Sequence, residues 1–489
     1  MKIGQNYING KWVDSESKLT TINPNTGSSF GEIPNSNKEE VESAIASAKE
    51  AFINWSKTSI EERIKILQNV VNLLIEEYGE EGMPSPLKNL ITDEVGKRLP
   101  EADIEVIESS DMIQYFVDNA TSILADRKIP LNQTLWASKE STLHFEPKGV
   151  VAIIKAWNYP LEVPIWSIAP ALVSGNTVVF KPSEHSTFVA TELVKLFEKA
   201  GLPKGVLNMI CGNGQTGESL VNSKGVNMIS FTGSQKVGKQ INISAANRFI
   251  KCVLELSGND AAIVHKSADL ELTSNGLVWG AFCNSGQVCV GVKRAFIDSE
   301  IAKKIIPLIV AKTNKLEKGK DFGPLISAKQ LEIVESFVQD AVSKGATVLT
   351  GGNTIKQTDG FYYQPTVLIG VTSQMKLMNE ECFGNILPIM EYSSLDSAID
   401  MANDSIYGLG ASVWCSDNLK AEYISSKLEA GMVWVNDVNV AFPEAPWSGI
   451  KNSGCGIDLS EFGLYEYVNL KHINKENSSD TSRIWWYPY

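Results

Sequence analysis

The residues best suited to chemistry gather in Ala281–Val290, "AFCNSGQVCV", where Cys283 and Cys289 flank a small polar run. Such a pair could be a disulfide, two metal ligands, a buried apolar pair, or a wall residue beside a nucleophile. Seven cysteines, an odd number scattered over 489 residues, read as free thiols of a reducing, cytoplasmic compartment and not as a disulfide scaffold. The four histidines, His144, His185, His265 and His472, lie at no ligand spacing from one another or from the two cysteines, so no metal is expected. A catalytic thiol needs small neighbours and backbone N–H groups able to hold an oxyanion. Gly286 permits the required bend, and Cys289 is read as opening a helix whose N-terminus would lower its pKa. A simply buried apolar cysteine is the competing reading.

Glycine-rich turns form a second group of candidates. Gly212-x-Gly214-x-x-Gly217 matches a dinucleotide fingerprint, yet the acidic residue expected about 20 positions on is missing, and no acid appears until Glu255. "MISFTGSQKVGKQI" is the stronger unit: a strand ends at Phe231, Thr232-Gly233-Ser234 turns, and a helix begins near Gln235. Its free N–H groups could meet a pyrophosphate, or Ser234 could be an ordinary N-cap. In "VVFKPSEHS", Lys181, Ser183 and Glu184 follow a strand at the edge where doubly wound sheets bind ligands. Lys181 and Glu184 could hydrogen-bond a ribose, and Glu184 would repel a 2′-phosphate, which favours NAD over NADP. A solvated charge pair is the alternative.

The elements that must position these groups are legible in the periodicity. Residues 38–80 predict two amphipathic helices broken around Ser56–Ser59, and 98–124 a third. From about residue 140, short β-branched strands alternate with helices ("GVVAIIKA", "TVVFKPS", "VLNMICG", "VNMISFTG"), and a second alternating block runs from about 260 to 456. This is the α/β pattern of a doubly wound parallel sheet. The length exceeds one core, so two or more domains are expected. A net charge of −13 and a pI near 5.0 exclude nucleic acid and anionic membrane surfaces as natural partners. No apolar run reaches the roughly 18 residues of a membrane span, and the N-terminus lacks the apolar core of a signal peptide.

Seven motifs then occur in register: "WNYP", "KPSE", "FTGSxxVG", "LELSG", "FxNxGQxC", "EECFG" and "PWSGIKNSGCG". Over essentially its whole length the chain resembles the NAD(P)-dependent aldehyde dehydrogenase superfamily. The resemblance implies that Cys289 attacks an aldehyde, that Asn158 and the Cys289 N–H hold the oxyanion, and that Glu255 activates the water that hydrolyses a thioester. It implies NAD contacts from Lys181 and Glu184 (adenosine ribose), Gly233 and Ser234 (pyrophosphate), and Glu381 with Phe383 (nicotinamide ribose). Trp157, Ser183, Phe231, Thr232 and Leu256 complete that surface, with Gly214 a landmark more than a phosphate contact. It also implies an NAD-binding domain over 1–124 and 148–257, a catalytic domain over 258–457, and an oligomerisation element from 125–147 and 458–489. The aromatic end, Trp485 to Tyr489, would be costly to expose in a monomer, so a homodimer or homotetramer is expected.

The pocket implied by resemblance is Tyr159, Trp166, Cys283, Val288, Val290 and Phe442. It holds no arginine, which favours a neutral aliphatic or aromatic aldehyde over a carboxylated one. Lys293 and Arg294 are expected to face away on a helix. The chain departs from the family pattern at Ser257, Asn385, Trp447 and Ser448. Rival readings are a CoA-acylating dehydrogenase, against which Glu255 speaks, and a non-catalytic NAD-binding relative.

Overall fold

The computed structural model describes residues 2–355, 359–483 and 485–487. The two early helices form at Lys38–Trp55 and Ile60–Tyr78, and capping boxes explain the break between them. Asn37 with Glu40, and Ser59 with Glu62, satisfy the free N–H groups at each start. The third helix runs Leu99–Ile123. A helix at Pro86–Val95 was not anticipated, although Ser85, Pro86 and the left-handed Gly96 are ordinary start and stop signals.

An eight-stranded sheet organises the first half. Its parallel centre is ordered Lys251–Glu255, Met228–Thr232, Val150–Ile154, Thr177–Lys181, Leu207–Met209. The chain starts at Val150–Ile154, steps outward twice, then returns to the other side of its starting strand. That reversal opens a crevice beyond the carboxyl ends of Val150–Ile154 and Met228–Thr232, where open α/β sheets bind ligands. The segments carrying Trp157-Asn158 and Thr232–Ser234 leave from those two ends, and Glu255 ends the next strand.

In the second, seven-stranded sheet Ala261–Val264 lies between the central strand Arg294–Asp298 and Gly410–Trp414, all three parallel. Strand Gly454–Cys455 crosses back to the first sheet and pairs antiparallel with Glu255's strand, Glu255 opposite Gly454. A third sheet pairs Lys139–Pro147 with Val468–Glu476 over their full length and with Arg127–Lys128. Near it Trp485 packs against Trp136 with ring centroids 5.4 Å apart, while Tyr489 lies outside the described residues. Among the described residues no helix is long and apolar enough to cross a membrane.

Candidate active site

The nucleophile candidate sits after a forced turn. Asn284, Ser285 and Gly286 take φ of 46°, 55° and 72°, a left-handed run that reverses the chain before Cys289. A Cβ on Gly286 would meet the Gly384 carbonyl oxygen at 2.2 Å, so the turn is pressed against the segment bearing Glu381 and Phe383. A Cβ on Gly258 would likewise meet the Cys289 carbonyl oxygen at 2.5 Å, which brings the Glu255–Gly258 segment against the nucleophile. Three distant stretches are thereby held together by close backbone approach.

Hydrogen bonds lock the turn. Ser285 Oγ donates to the Gly323 carbonyl at 2.7 Å, and Gln287 Oε1 accepts from Ile326 N at 2.9 Å. The Asn284 N–H donates to Glu101 Oε1 at 2.7 Å, and that carboxylate also accepts from Arg98 at 2.8 Å. Asn158 Nδ2 donates one proton to the Gln287 carbonyl at 3.1 Å.

Cys289 does not open a helix. It follows the short turn Cys283–Gly286 in irregular backbone ahead of Arg294–Asp298, so it does not sit at the start of a helix. Burial pushes its pKa well above the ordinary thiol value, and the negative charges of Glu381, Asp260 and Glu255 add to the shift. The expected pKa lowering is therefore reversed. Cys283, buried in the cavity wall with Asn439 Nδ2 at 3.4 Å from its sulfur, is pushed up to about 12, by burial first.

Glu255 is the second candidate reactive group. It is buried, and neither carboxylate oxygen has a hydrogen-bond partner among the described residues. Burial raises its pKa well above the carboxylate range, the nearby Asp458 raises it further, and Lys155 opposes both. Lys155 Nζ lies 3.5 Å from Asp458 Oδ2 and donates to Thr232 Oγ1 at 3.0 Å. An unpaired carboxylate poised above its usual pKa is suited to taking a proton from water.

Cys289, Asn158 and Glu255 line one cavity of about 580 Å³. Of the other candidates, Trp157, Thr232, Gly233, Ser234, Leu256, Glu381 and Phe383 line it too, as do Tyr159, Trp166, Cys283, Val288 and Val290. Phe442 does not: it is half exposed, and its neighbours Val440 and Ala441 form the wall instead. Phe231 stays in the core beneath the lining stretch. Lys181, Ser183, Glu184 and Gly214 lie outside the cavity, Lys181 ending its strand and Gly214 opening the helix Gly214–Asn222.

These residues fit a dinucleotide. Ser234 caps the helix Gln235–Ala246, whose first N–H groups face the Thr232–Ser234 turn, and a Cβ on Gly238 would meet Leu256 at 2.4 Å, so that helix packs hard against the sheet. Glu381 Oε1 accepts from the Gly258 N–H at 3.3 Å, and the Ser257 hydroxyl also donates to this carboxylate. The Ser257 departure thus has a use. Asn385 does as well: it is buried, and its Nδ2 holds the Tyr363 carbonyl at 2.8 Å. Trp447 stands against Trp166 with centroids 5.0 Å apart.

Lys293 and Arg294 correct another expectation. Both are buried and neither is on a helix. Lys293 Nζ donates to the Gly286 carbonyl at 2.5 Å, while Arg294 holds the carbonyls of Asn259 and Ala402 at 2.8 and 3.0 Å. The sequence reading also missed the acidic wall. Glu101, Glu105 and Glu108 line the cavity from helix Leu99–Ile123, and Glu162 from helix Glu162–Val173. Each face alone is readable, 101, 104, 105 and 108 on one helix and 162, 163 and 166 on the other, but not that the two faces meet across one cavity.

Comparison with known proteins follows the same lines. The profile of the aldehyde dehydrogenase family matches residues 12–473. A mitochondrial succinate-semialdehyde dehydrogenase of Arabidopsis thaliana is 37% identical over 96% of this chain and 88% of its own. A peroxisomal aminoaldehyde dehydrogenase of Pisum sativum is 34% identical, over 97% and 96%. The crystal structure of betaine aldehyde dehydrogenase from Staphylococcus aureus in complex with NAD+ is 33% identical with a TM-score of 0.93, covering 99% of this chain and 96% of that one.

Proposed function

The chain belongs to the aldehyde dehydrogenase family, and from that premise we propose that it oxidises an aldehyde to the carboxylic acid with NAD, through a covalent adduct on Cys289. The observation that carries this reading is the convergence of Cys289, the Asn158 amide and the unpaired carboxylate of Glu255 on one cavity. The Cys289 thiolate adds to the carbonyl carbon. The oxyanion of the thiohemiacetal is held by the second Asn158 Nδ2–H and the Cys289 N–H. Bound NAD supplies the hydride acceptor. Glu255 then takes a proton from water, whose oxygen adds to the thioester carbonyl, and the released thiol is restored. The balance is aldehyde, NAD+ and water giving carboxylate, NADH and two protons.

For cofactor choice, Glu184 beside Lys181 supports NAD over NADP. Seven free cysteines support a cytoplasmic setting. The exposed Leu470 and Ile473 on the third sheet support a homo-oligomer.

The substrate reading changes with the acidic wall. Six mostly apolar side chains favoured a neutral aldehyde, but the cavity adds four carboxylates against two cations, Lys97 and Arg98. Aromatic walls with two carboxyl groups left over once Lys97 and Arg98 are paired support a cationic aldehyde over a neutral or carboxylated one. The test is NADH formation without CoA from cationic, neutral and carboxylated aldehydes of matched length, alongside Cys289→Ala. The reading expects turnover that vanishes in the variant and a cationic substrate ranked first. Turnover that required free CoA would overturn the hydrolytic step.

A further inference from the structure

We propose that Glu108 and Glu162 form a carboxylate subsite that selects aldehydes bearing a protonated primary or secondary amine over those bearing a quaternary ammonium. The inference rests on the oxidation reading above and adds to it the chemistry of the far end of the substrate.

The four acids of the wall divide into two kinds. Glu105 is committed: Oε2 pairs with Lys97 Nζ at 2.6 Å, and Oε1 accepts from the N–H groups of Leu161 at 2.9 Å and Glu162 at 3.3 Å. Glu101 is committed as well, to Arg98 and to the Asn284 N–H. These pairs use up both cations of the wall. Among the described residues the carboxylates of Glu108 and Glu162 form no hydrogen bond or ion pair, Glu162 is only 3% exposed, and the nearby Trp166 indole N–H is itself without a hydrogen-bond partner. Burial raises the pKa of both, and the negative charges around them add to it. Glu108 faces Lys97, Glu105, Asp111 and Glu162, and rises to about 7, while Glu162 faces Glu108, Glu105 and Lys97. Two desolvated acids that repel one another would be relieved by a guest that brings positive charge and hydrogen-bond donors together.

Only an N–H-bearing ammonium brings both. A quaternary ammonium has no proton to donate, and its methyl shell keeps its charge from closing on carboxylate oxygens. Its usual receptor is a set of open aromatic faces. Here one face is taken, because Lys97 Nζ sits 3.4 Å from the centroid of the Tyr159 ring. Trp166 and Trp447 are engaged with each other, tilted by 58°. Trp157 and Phe383 are likewise paired, so of the aromatic side chains lining the cavity Trp279 alone keeps an open face among the described residues, set against two unpaired carboxylate acceptors.

The experiment compares kcat/KM for 3-aminopropanal and 3-(trimethylammonio)propanal, matched in chain length and charge, in the wild-type protein, E162Q and E108Q. The expected result is a wild-type preference of about tenfold or more for the amine that collapses toward unity in either variant, each confirmed folded by its melting curve. That preference should grow as pH rises through about 7 and Glu108 ionises. A wild-type ratio at or below unity, or a preference that both variants retain, would overturn the proposal. If no aldehyde is oxidised, the oxidation reading fails and the subsite is judged by calorimetry with propylammonium and tetramethylammonium. Tighter propylammonium binding that is lost in E162Q sustains the subsite, and equal binding of the two ions overturns it.

Discussion

Asn158 and Asn284 clasp one another across the site. Asn284 Nδ2 donates to the Asn158 carbonyl at 3.0 Å, and Asn158 Nδ2 donates to the Gln287 carbonyl at 3.1 Å, which Asn284 Nδ2 also reaches at 3.3 Å. The amide proposed to hold the oxyanion is thus aimed by the same turn that presents the proposed nucleophile. Asn284 also occupies a left-handed conformation that asparagine tolerates better than most residues.

Asn284→Ala should therefore act on catalysis through position. It removes both donors and leaves the φ of 46° to an alanine. The expected outcome is a fall in kcat of roughly tenfold or more, against about 10²–10³ for Asn158→Ala, which deletes the oxyanion donor itself. Cofactor affinity, read by NADH fluorescence titration, should move little in either. An Asn284→Ala enzyme with wild-type kcat would show that the clasp does not aim the amide.

Glu255 gives a prediction in pH. Its pKa is raised, so the carboxylate form grows as pH rises and deacylation should accelerate with it. Lys155 favours the charged form and Asp458 disfavours it. Lys155→Met should shift the rising limb of kcat to higher pH, and Asp458→Asn should shift it to lower pH. Glu255→Gln should keep the first burst of NADH and lose about 10²–10⁴ in steady turnover. Both neighbour variants break a buried ion pair, which costs about 3–5 kcal/mol of stability, so rates belong on protein verified as folded. Limbs that move in the same direction would contradict this electrostatic assignment.

The early helices and the strands of the first sheet were legible because each follows a local rule: a capping box at Asn37 and Ser59, and β-branched runs ending in glycine turns. That Cys289, Asn158 and Glu255 are candidates was legible because each sits in a contiguous motif, and the structure brings the three to one cavity. The acidic wall was not, since Glu108 and Glu162 lie 54 positions apart (162 minus 108) and meet only when two helices pack. Phe442 was misplaced for a related reason: a loop decides side by side whether residue 441 or 442 faces inward, and no periodicity records that choice. Lys293 and Arg294 were misread because the segment after Cys289 was taken for a helix, whereas it leads into a buried strand.

Ser257 stands where its hydroxyl and the neighbouring Gly258 N–H both reach the carboxylate of Glu381. Burial raises the pKa of that carboxylate, and these two donors with Lys293 oppose the rise. Ser257→Gly should lift the Glu381 pKa and loosen its orientation. The KM for NAD should rise by about threefold, in keeping with the ~0.5–1.5 kcal/mol net worth of one hydrogen bond, and the acid limb of NAD binding should move to higher pH. Ser257→Thr should restore both. A variant with unchanged KM and an unmoved limb would reduce Ser257 to a filler of space.

Cys289 offers the sharpest contrast between sequence and structure. A helix N-terminus would have made it a thiolate near neutral pH, whereas burial and the charges of Glu381, Asp260 and Glu255 hold the proton on sulfur in the free protein. Alkylation by iodoacetamide requires the thiolate. Its rate at Cys289, followed by mass spectrometry of the labelled peptide, should still be climbing at pH 9 with no plateau. Replacing a negative neighbour should lower the thiol pKa, so Glu381→Gln should alkylate faster than wild type at pH 8. The consequence for turnover is that the thiolate must be generated as the site fills, with the proton leaving as the carbonyl arrives. A plateau below pH 7 would mean that an arrangement of charge other than this one already ionises the thiol.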